Sequence, residues 1–463
     1  MRKNILGNER GTALVATLMF LMAMGVLSTA LVFTVQNDMK TSASYKYGQQ
    51  AFYEANAAVQ NAVDWFANSY APHASSVDYD LTTMPVKYQS ENVMLAGQSG
   101  YSAVYPEDNV IQAFSARLGD RVLAANDQNS GSYSVNATLL RHRIAQFMNP
   151  STFETYYGAI ERWRLDCVGY RGPTNKPLGV SRITAIIENN GEAFFDRALW
   201  GKRRVDLRGA MLIDSYNPRL GPWDEDTNYA YGGAIGSNGY VDMGGNALVR
   251  GALGLGPNGD YELGKEENLT GGVGGCLGAD CVTYLSEDRE FPPIADFTVG
   301  NQSETVRARD EFTIRNGQYN NKYNKITVHG TLTFEPGIYY IDELTEGAQG
   351  KIQVSGDTTL YVKSSLTLTG QGIVNTSTDP TKVTILYTGD DAVAMEGGST
   401  AFIEFYGPDA DLTLRGNIDF SGSFIADTVT VGGGARVHYS NESLRRHLMP
   451  RPFRLITWSQ DSL

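Results

Sequence analysis

Acidic residues in the C-terminal part of the chain are the side chains whose types could support catalysis. A pair of carboxylates can serve as general acid and general base, and β-helical enzymes acting on polysaccharides spread such groups over adjacent coils. Carboxylates at solvent-facing turns are usually only hydrated, however, and the sequence contains no Gly-x-Ser-x-Gly, P-loop or His-Glu-x-x-His motif. We therefore expect no enzymatic activity. The residues that would have to provide it are Asp390, Asp391, Glu396, Asp409, Asp411 and Arg415.

Two acidic clusters could contribute to a calcium site. Asp224-Glu225-Asp226 and Asp409-Ala410-Asp411 supply the carboxylate oxygens that this hard cation prefers. Neither cluster matches an EF-hand loop, and a charged surface turn is the simpler interpretation of each. We therefore expect no cofactor, with calcium as the one open alternative.

The three cysteines predict one local disulfide. Cys276 and Cys281 are five positions apart in a glycine-rich stretch, and an exported location would allow them to oxidise. Cys167 then has no partner, and its neighbours alternate as in a buried strand. A metal site would need further ligands, and because the chain has only five histidines we predict none.

The element that must position everything else is an N-terminal apolar helix. The basic residues Arg2, Lys3 and Arg10 precede the stretch from Thr12 to Asn37, whose 26 residues include no charged side chain. A helix needs roughly 20 apolar residues to cross a bilayer, and flanking basic residues tend to stay in the cytoplasm. The chain beyond Asn37 is therefore expected on the outer side of the membrane. A cleaved secretory signal fits less well, because its apolar core would be shorter.

The same helix is expected to continue far beyond the membrane. Apolar or small residues at 51, 52, 55, 58, 59, 62, 63 and 66 have the i, i+3, i+4, i+7 spacing of one helical face, and the first proline is Pro72. A single helix from Thr12 to Asn68 would be about 85 Å long at 1.5 Å per residue. A compact domain does not need this length, so half of the helix is expected in a membrane or a filament.

Two N-terminal segments carry a resemblance to a known family. They are Arg10-Gly11-Thr12-Ala13-Leu14-Val15-Ala16 with the apolar run after it, and Gln50-Ala51-Phe52-Tyr53-Glu54-Ala55-Asn56-Ala57-Ala58. Together, residues 8–68 resemble the N-terminal domain of PilX-type minor pilins of type IV pili. In that family a prepilin peptidase cuts after the glycine and methylates the new N-terminus, which implies cleavage between Gly11 and Thr12. A plain signal anchor with an incidental Arg-Gly pair is the alternative.

One position departs from the pattern of major pilins. Ala16, the fifth residue after the implied cleavage, stands where major pilins carry a glutamate. PilX-like proteins and the tip pseudopilin of type II secretion often lack this acid, so the resemblance implies a minor or tip subunit. A carboxylate in the bilayer is costly unless it is paired, and a subunit with alanine has none to offer a neighbour. The helix residues expected to pack in assembly are Leu14, Ala16, Leu18, Leu21, Val26 and Phe33.

After the helix, the sequence predicts a small pilin-like α/β head over residues 72–200. Polar loops alternate there with strands such as Arg162–Val168 and Ser181–Glu188, and we expect one helix over Ala137–Met148. The head sheet is expected to pack on the second half of the long helix.

Residues 205–445 have a different character. Apolar strands of three to five residues are punctuated by glycine or asparagine with no helix between them, which favours a parallel β-solenoid, with a β-sandwich as the alternative. Within this body, residues 252–322 are predicted to form an insertion, and residues 446–463 a C-terminal tail. The fold class is thus α+β, mainly β.

These expectations combine into one functional hypothesis. The chain is expected to be a minor pilin or pseudopilin-like subunit that takes part in assembly or tip capping of a type IV pilus, with an adhesive role at the tip. Its expected partners are other minor and major pilins, prepilin peptidase, the inner membrane and an unidentified surface ligand. The expected location is the inner membrane, crossed once, and then the pilus or cell surface.

Nucleic acid is not expected as a partner, because the net charge is −13 and no patch combines Lys or Arg with aromatic residues. The alternative function is a membrane-anchored β-solenoid enzyme or adhesin that acts on cell-surface polysaccharide.

Overall fold

The computed structural model describes residues 9–98, 100–123, 130–150, 152–397 and 400–461 of the 463-residue chain. The chain forms two compact units, the first from residues 1–144, 159–190 and 452–463, the second from residues 145–158 and 191–451. Most of the predicted leader, residues 1–8, lies outside the described residues.

The helices and strands follow in chain order. Up to residue 190 they are α1 (Glu9–Asn68), β1 (Tyr79–Asp80), β2 (Lys87–Tyr88), β3 (Glu91–Asn92), β4 (Met94–Ala96), α2 (Asp108–Leu118), β5 (Arg121–Val122), β6 (Gly131–Met148), β7 (Thr155–Arg171) and β8 (Gly179–Glu188). After residue 190 they are β9 (Glu192–Ala193), β10 (Leu199–Leu207), β11 (Leu212–Tyr216), β12 (Ile235–Ser237), β13 (Tyr240–Met243), β14 (Leu248–Arg250), β15 (Leu253–Leu255), β16 (Asp260–Leu263), β17 (Leu269–Thr270), β18 (Val282–Tyr284), β19 (Ser303–Val306), β20 (Glu311–Ile314), β21 (Lys322–Val328), β22 (Thr331–Phe334), β23 (Gly337–Glu346), β24 (Lys351–Val354), β25 (Thr358–Leu368), β26 (Ile373–Asn375), β27 (Val383–Tyr387), β28 (Val393–Gly397), β29 (Ala401–Gly416), β30 (Asp419–Gly433), β31 (Arg436–Ser440), β32 (Leu448–Met449) and β33 (Arg454–Asp461).

In the first unit, the last third of α1 packs on a sheet with the strand order β33-β8-β7-β6. Strand β8 pairs antiparallel with both β7 and β33. The helix face toward the core consists of small and aromatic residues, all of them buried: Ala55, Ala58, Val59, Ala62, Trp65 and Phe66. Alanines spaced three or four positions apart let the helix approach the sheet closely. Gly169 on β7 lies directly against the helix backbone, because a Cβ added at this position would collide with the backbone of Ala51 and Ala55.

The prediction of a helix over Ala137–Met148 is wrong, because these residues belong to the long strand β6. Leucine, arginine, alanine and methionine favour a helix in isolation. Here the pairing of Asn136–Thr138 with β4 and the complete burial of Ala137 and Leu139 in the head core outweigh that preference.

The second unit is a parallel β-solenoid, which confirms the predicted fold class against the β-sandwich. The coil that comes first in the sequence, formed by β10 and β11, lies inside the solenoid and not at one of its ends. Strands β12 to β14 stack on one side of this coil, and β30 and β31 stack on the other. Strands β12–β18 therefore form a short arm on one side of the first coil. Strands β19–β31 form a long arm, and the last coil of this arm pairs with the other side of the first coil.

Apolar residues in register hold the coils together. Leu412, Val429, Val205 and Val241 occupy the same position on four consecutive coils, and none is more than 1% exposed. Stacked aliphatic side chains form a continuous core, and the alternate residues of each strand face outward.

A linker over residues 285–302 joins the two arms along the outside of the strands. Near the short arm, Asn238 exchanges two hydrogen bonds with the backbone of Arg289. Further along, the hydroxyl of Tyr406 donates to the Pro292 carbonyl at 2.6 Å, and the ring of Phe297 packs 5.3 Å from that of Tyr361. These contacts follow the linker from the end of the short arm to the start of the long arm.

Three predicted boundaries need correction. The stretch 252–322 is not a single insertion, because β15–β18 complete the short arm and β19–β20 begin the long arm. Residues 446–463 are not a free tail, because β33 pairs with β8 in the head sheet. In addition, residues 145–158 and 191–200 of the predicted head group with the second unit. The pairing of β33 with β8 joins residues far apart in sequence, which no local pattern contains.

Candidate functional site

The first half of α1 is an apolar surface without protein cover. Within the described residues, the helix is long and apolar enough to cross a membrane, and its apolar window has no buried residue. Every side chain from Thr12 to Asn37 is exposed. The predicted assembly residues Leu14, Leu18, Leu21, Val26 and Phe33 are each more than half exposed. Covering each such side chain by lipid or protein is worth about 1.5–3 kcal/mol, so this helix requires a partner or a bilayer.

Three threonine side chains of this segment are adapted to an apolar medium. The hydroxyls of Thr17, Thr29 and Thr34 donate to the backbone carbonyls four residues earlier, at 2.7–2.9 Å. Such internal hydrogen bonds satisfy a hydroxyl without water, which is what a hydrocarbon environment demands. The segment can therefore lie in a bilayer without an unsatisfied threonine hydroxyl.

The predicted processing site lies in the first turns of α1. Gly11 and Thr12 have helical backbone, and Ala16 is exposed one turn later. The first acidic residue after Gly11 is Asp38. The apolar half of the helix thus offers no carboxylate to a neighbouring chain.

The second half of α1 is held firmly by the head. Besides the contacts at Gly169, a Cβ added at Gly179 would collide with the carbonyl of Tyr47 at 2.5 Å. The carboxylate of Glu54 lies 3.5 Å from the guanidinium of Arg171. Burial raises the pKa of Glu54, although Arg171 acts in the opposite direction. Because one continuous helix passes from this docked half into the exposed half, the head fixes the direction in which the apolar segment projects.

The cysteines of the glycine-rich loop are bonded in the structure. A disulfide joins Cys276 and Cys281 between β17 and β18. Cys167 is a buried free thiol on β7, and burial raises its pKa well above the ordinary value. Val273 lies fully exposed in the loop between β17 and Cys276.

The residues considered for catalysis lie on adjacent coils, where the register of β27 and β28 with β29 places the turn of Asp390 and Asp391 beside the bend that holds Asp409 and Asp411. Glu396 and Arg415 are register partners on β28 and β29. Asp409 pairs with Lys202 at 2.9 Å, and Asp411 lies 3.8 Å from Arg203. The cavity beside Glu396 has a volume of about 10 Å³, whereas small-molecule sites usually span about 300–1,000 Å³. Asp390 and Asp391 lie in the turn between β27 and β28.

The acidic cluster at 224–226 forms a self-contained turn. The Asp224 carboxylate accepts hydrogen bonds from the backbone N–H groups of Asp226 and Thr227 and from the Thr227 hydroxyl, at 2.8–3.1 Å. These hydrogen bonds lower the pKa of Asp224. Across the described ranges, no group of three or more His, Cys, Asp or Glu side chains is arranged to hold a metal ion.

The comparisons with known proteins cover parts of the chain unequally. Residues 293–446 match a family described as a domain of unknown function, DUF7305. No curated protein matches the chain. Among solved structures, the chain is similar to the competence-associated pilin ComZ from Thermus thermophilus, with 12% identity over 90% of this chain and 97% of that chain and a TM-score of 0.27. Likeness of this degree shows neither a common fold nor a common function.

The DUF7305 match coincides with the long arm of the solenoid. It begins in the linker at Pro293 and ends at Arg446, shortly after β31. The matched segment therefore includes the coil that closes on β10 and β11, but not that first coil itself.

A buried polar cluster lies where the DUF7305 segment meets the first coil. His438 on β31 is in register with Asp214 on β11, and the imidazole Nδ1 is 2.6 Å from Oδ1 of Asp214. The other carboxylate oxygen accepts from the indole N–H of Trp223 at 3.0 Å, and that indole stacks on the imidazole at 3.9 Å. Burial lowers the pKa of His438, but its contacts with Asp214 and Asp419 outweigh this effect, so the pKa is raised.

A second buried cluster lies in the head. Glu161 is fully buried and accepts hydrogen bonds from the hydroxyl of Tyr70 at 2.7 Å and the indole of Trp163 at 2.8 Å. The Nδ1 atom of His142 lies 2.9 Å from the other carboxylate oxygen. Burial and the charge of Glu161 raise the pKa of Tyr70, so its hydroxyl stays a donor. Sequence reasoning found neither cluster, because the members are far apart in sequence and share no motif. We interpret both as structural, since the side chains of His438 and Asp214 and those of His142 and Glu161 are fully buried.

Proposed function

We propose that the protein is a pilin-like subunit of a type IV pilus or a related secretion filament. The observation that carries the proposal is α1 itself. The stretch from Thr12 to Asn37 is exposed, uncharged and internally hydrogen-bonded, and the second half of the helix is docked on the head through alanine and glycine contacts. A helix with these properties can reside in a membrane before assembly and then pack into a bundle of similar helices.

Ala16 supports a more specific role in initiating or capping the filament. An acid within the apolar segment would need a cation from a neighbour to be tolerated in the bilayer. This subunit has no such requirement, because no carboxylate lies between Gly11 and Asp38. We therefore propose a minor subunit at the tip, which joins other pilins through Leu14, Leu18, Leu21, Val26 and Phe33.

The large second unit is proposed to bind and not to catalyse. Asp409 and Asp411 are paired with lysine or arginine, and Asp390 and Asp391 stand in a turn. The cavity beside Glu396 has room for little more than a water molecule. A tip subunit with a rigid solenoid of this size suits adhesion to a surface ligand. No cofactor is needed for this role, and added calcium should not change the solenoid.

The mature N-terminus tests the proposal. Full-length protein from cells with and without prepilin peptidase is analysed by mass spectrometry, together with two matched leader variants, Gly11→Val and Gly7→Val. We expect an N-methylated Thr12 in the wild type and in Gly7→Val only when the peptidase is present, and an uncut chain in Gly11→Val. An intact Met1 in all samples, or a cut near residue 30, would refute the pilin assignment.

A further inference from the structure

The head sheet ends in a strand with an open edge. Among the described residues, β33 pairs only with β8, so the backbone N–H and C=O groups on its other side have no strand partner. Natural proteins usually cover such edges or place lysine or proline on them to prevent pairing, because an open edge readily accepts another strand. β33 contains neither residue between Arg454 and Asp461.

The composition of this edge favours a strand partner. Ile456 and Trp458 are 45% and 49% exposed, and the neighbouring side chains of Thr457, Ser459 and Gln460 are exposed as well. Branched and aromatic residues favour extended backbone. The stretch from Leu455 to Gln460 carries no charge that would repel an incoming strand.

The open edge continues into the surface of α1. The ring of Trp458 lies 6.2 Å from that of Phe52, which lies 6.0 Å from that of Tyr53. The Tyr53 side chain is 66% exposed. We call the surface formed by Phe52, Tyr53, Ile456 and Trp458 the edge patch. Two of its residues, Phe52 and Tyr53, lie on the same helix whose first half requires a protein or lipid partner.

We propose that β33 accepts a β-strand from the head of a neighbouring pilin-like subunit, with the edge patch covered in the same contact. The proposal rests on the proposed function, because packing of the apolar helices would bring a neighbouring head beside α1. An open strand supplies main-chain hydrogen bonds, and exposed aromatic residues beside it supply apolar contact, which together are the features of strand addition. The contact would add a specific docking step to the less specific packing of apolar helices.

Photocrosslinking of the full-length protein in cells tests the proposal. A benzophenone amino acid replaces Ser459 on the edge strand or, as a matched control, Thr184, its register partner on the inner strand β8. We expect crosslinks from position 459 to another pilin-like chain, identified by mass spectrometry, and few from position 184. A second variant, Gln460→Lys, introduces charge at the edge. It should abolish the crosslink from position 459, whereas Ile186→Lys on β8 should leave it unchanged.

The outcomes separate the two proposals. If Thr12 is processed but position 459 yields only lipid adducts, unrelated proteins or no product, strand addition is refuted and the pilin role stands. If crosslinking from 184 equals that from 459, the contact does not involve the edge and the inference is also wrong. If Thr12 is not processed, the pilin role itself fails.

Discussion

The imidazole of His438 meets the carboxylate of Asp214 at 2.6 Å, although 224 residues separate the two in sequence. They are direct register partners on β31 and β11, at the point where the long arm closes on the first coil. Both side chains are fully buried. A charged pair in this position stabilises the fold only if its partners are all in place, so the closure of the solenoid becomes sensitive to the protonation of one histidine.

The stability of the solenoid is predicted to fall as pH rises. Because the pKa of His438 is raised in the folded state, the stabilisation by its protonated form is complete below about pH 6.5, the ordinary value, and is lost as pH increases through the raised pKa. The charged groups facing this histidine are Asp214, Asp419, Arg250 and Arg436. The urea midpoint of the full-length protein in detergent, followed by tryptophan fluorescence between pH 6 and 9, measures the effect.

Two histidine variants serve as controls for this pH effect. His438→Gln should flatten the dependence of the urea midpoint on pH, while His329→Gln, at an exposed position of the same unit, should keep the wild-type profile. Equal pH profiles for all three proteins would contradict the assignment to His438.

The buried carboxylate of the head is predicted to be essential for the stability of the first unit. Glu161→Gln removes the negative charge and one acceptor oxygen, so the amide NH2 group must face either the donors of Tyr70 and Trp163 or Nδ1 of His142. We expect the free energy of unfolding to fall by about 3 kcal/mol. Hydrogen-exchange mass spectrometry of peptides from β7 reports the loss. Asp64→Asn, which removes an exposed partner of Arg117 at 3.9 Å, should cost less than about 0.5 kcal/mol, and an equal loss in both variants would count against the cluster.

Two glycines test how the head holds the long helix. Gly169→Ala places a methyl group against the backbone of Ala51 and Ala55, so it should loosen α1 from the sheet and expose residues 50–66 to protease. Gly48→Ala, on the helix itself, meets no atom within 4 Å and should stabilise the helix by about 0.5–1 kcal/mol. Limited proteolysis of the membrane-bound protein compares them. Similar resistance in the two variants would show that close helix–sheet contact is not needed.

Local sequence patterns predicted the elements that depend on local physics. The uncharged run from Thr12 to Asn37 identified an exposed apolar helix, because bilayer-compatible length and composition are properties of one segment. Short apolar strands separated by glycine indicated the solenoid, because strand length and turn residues are also properties of single short segments. The strand β6 was missed because its residues favour a helix until β4 pairs with them.

Long-range pairing decided the features that no local pattern contains. Val205 stacks between Val241 and Val429, so the first coil lies inside the solenoid and not at its start. Similarly, β33 joins the head sheet across more than 260 residues of intervening chain. The His438 and Glu161 clusters assemble from such distant strands, which is why candidate site residues could be chosen for the helix but not for the buried polar sites.

Adding the missing acid tests the proposed position of this chain at the tip of a filament. Ala16→Glu adds a carboxylate to the apolar segment at the position where major pilins carry one, so it should let the subunit pair with a neighbour and enter the filament shaft. Immunogold labelling of assembled filaments should then change from the tip to positions along the length. Ala23→Glu places the same charge seven residues further on and should instead reduce membrane insertion and labelling. Labelling of Ala16→Glu that stays at the tip, or at the wild-type level, would mean that the missing acid does not determine the position of this subunit.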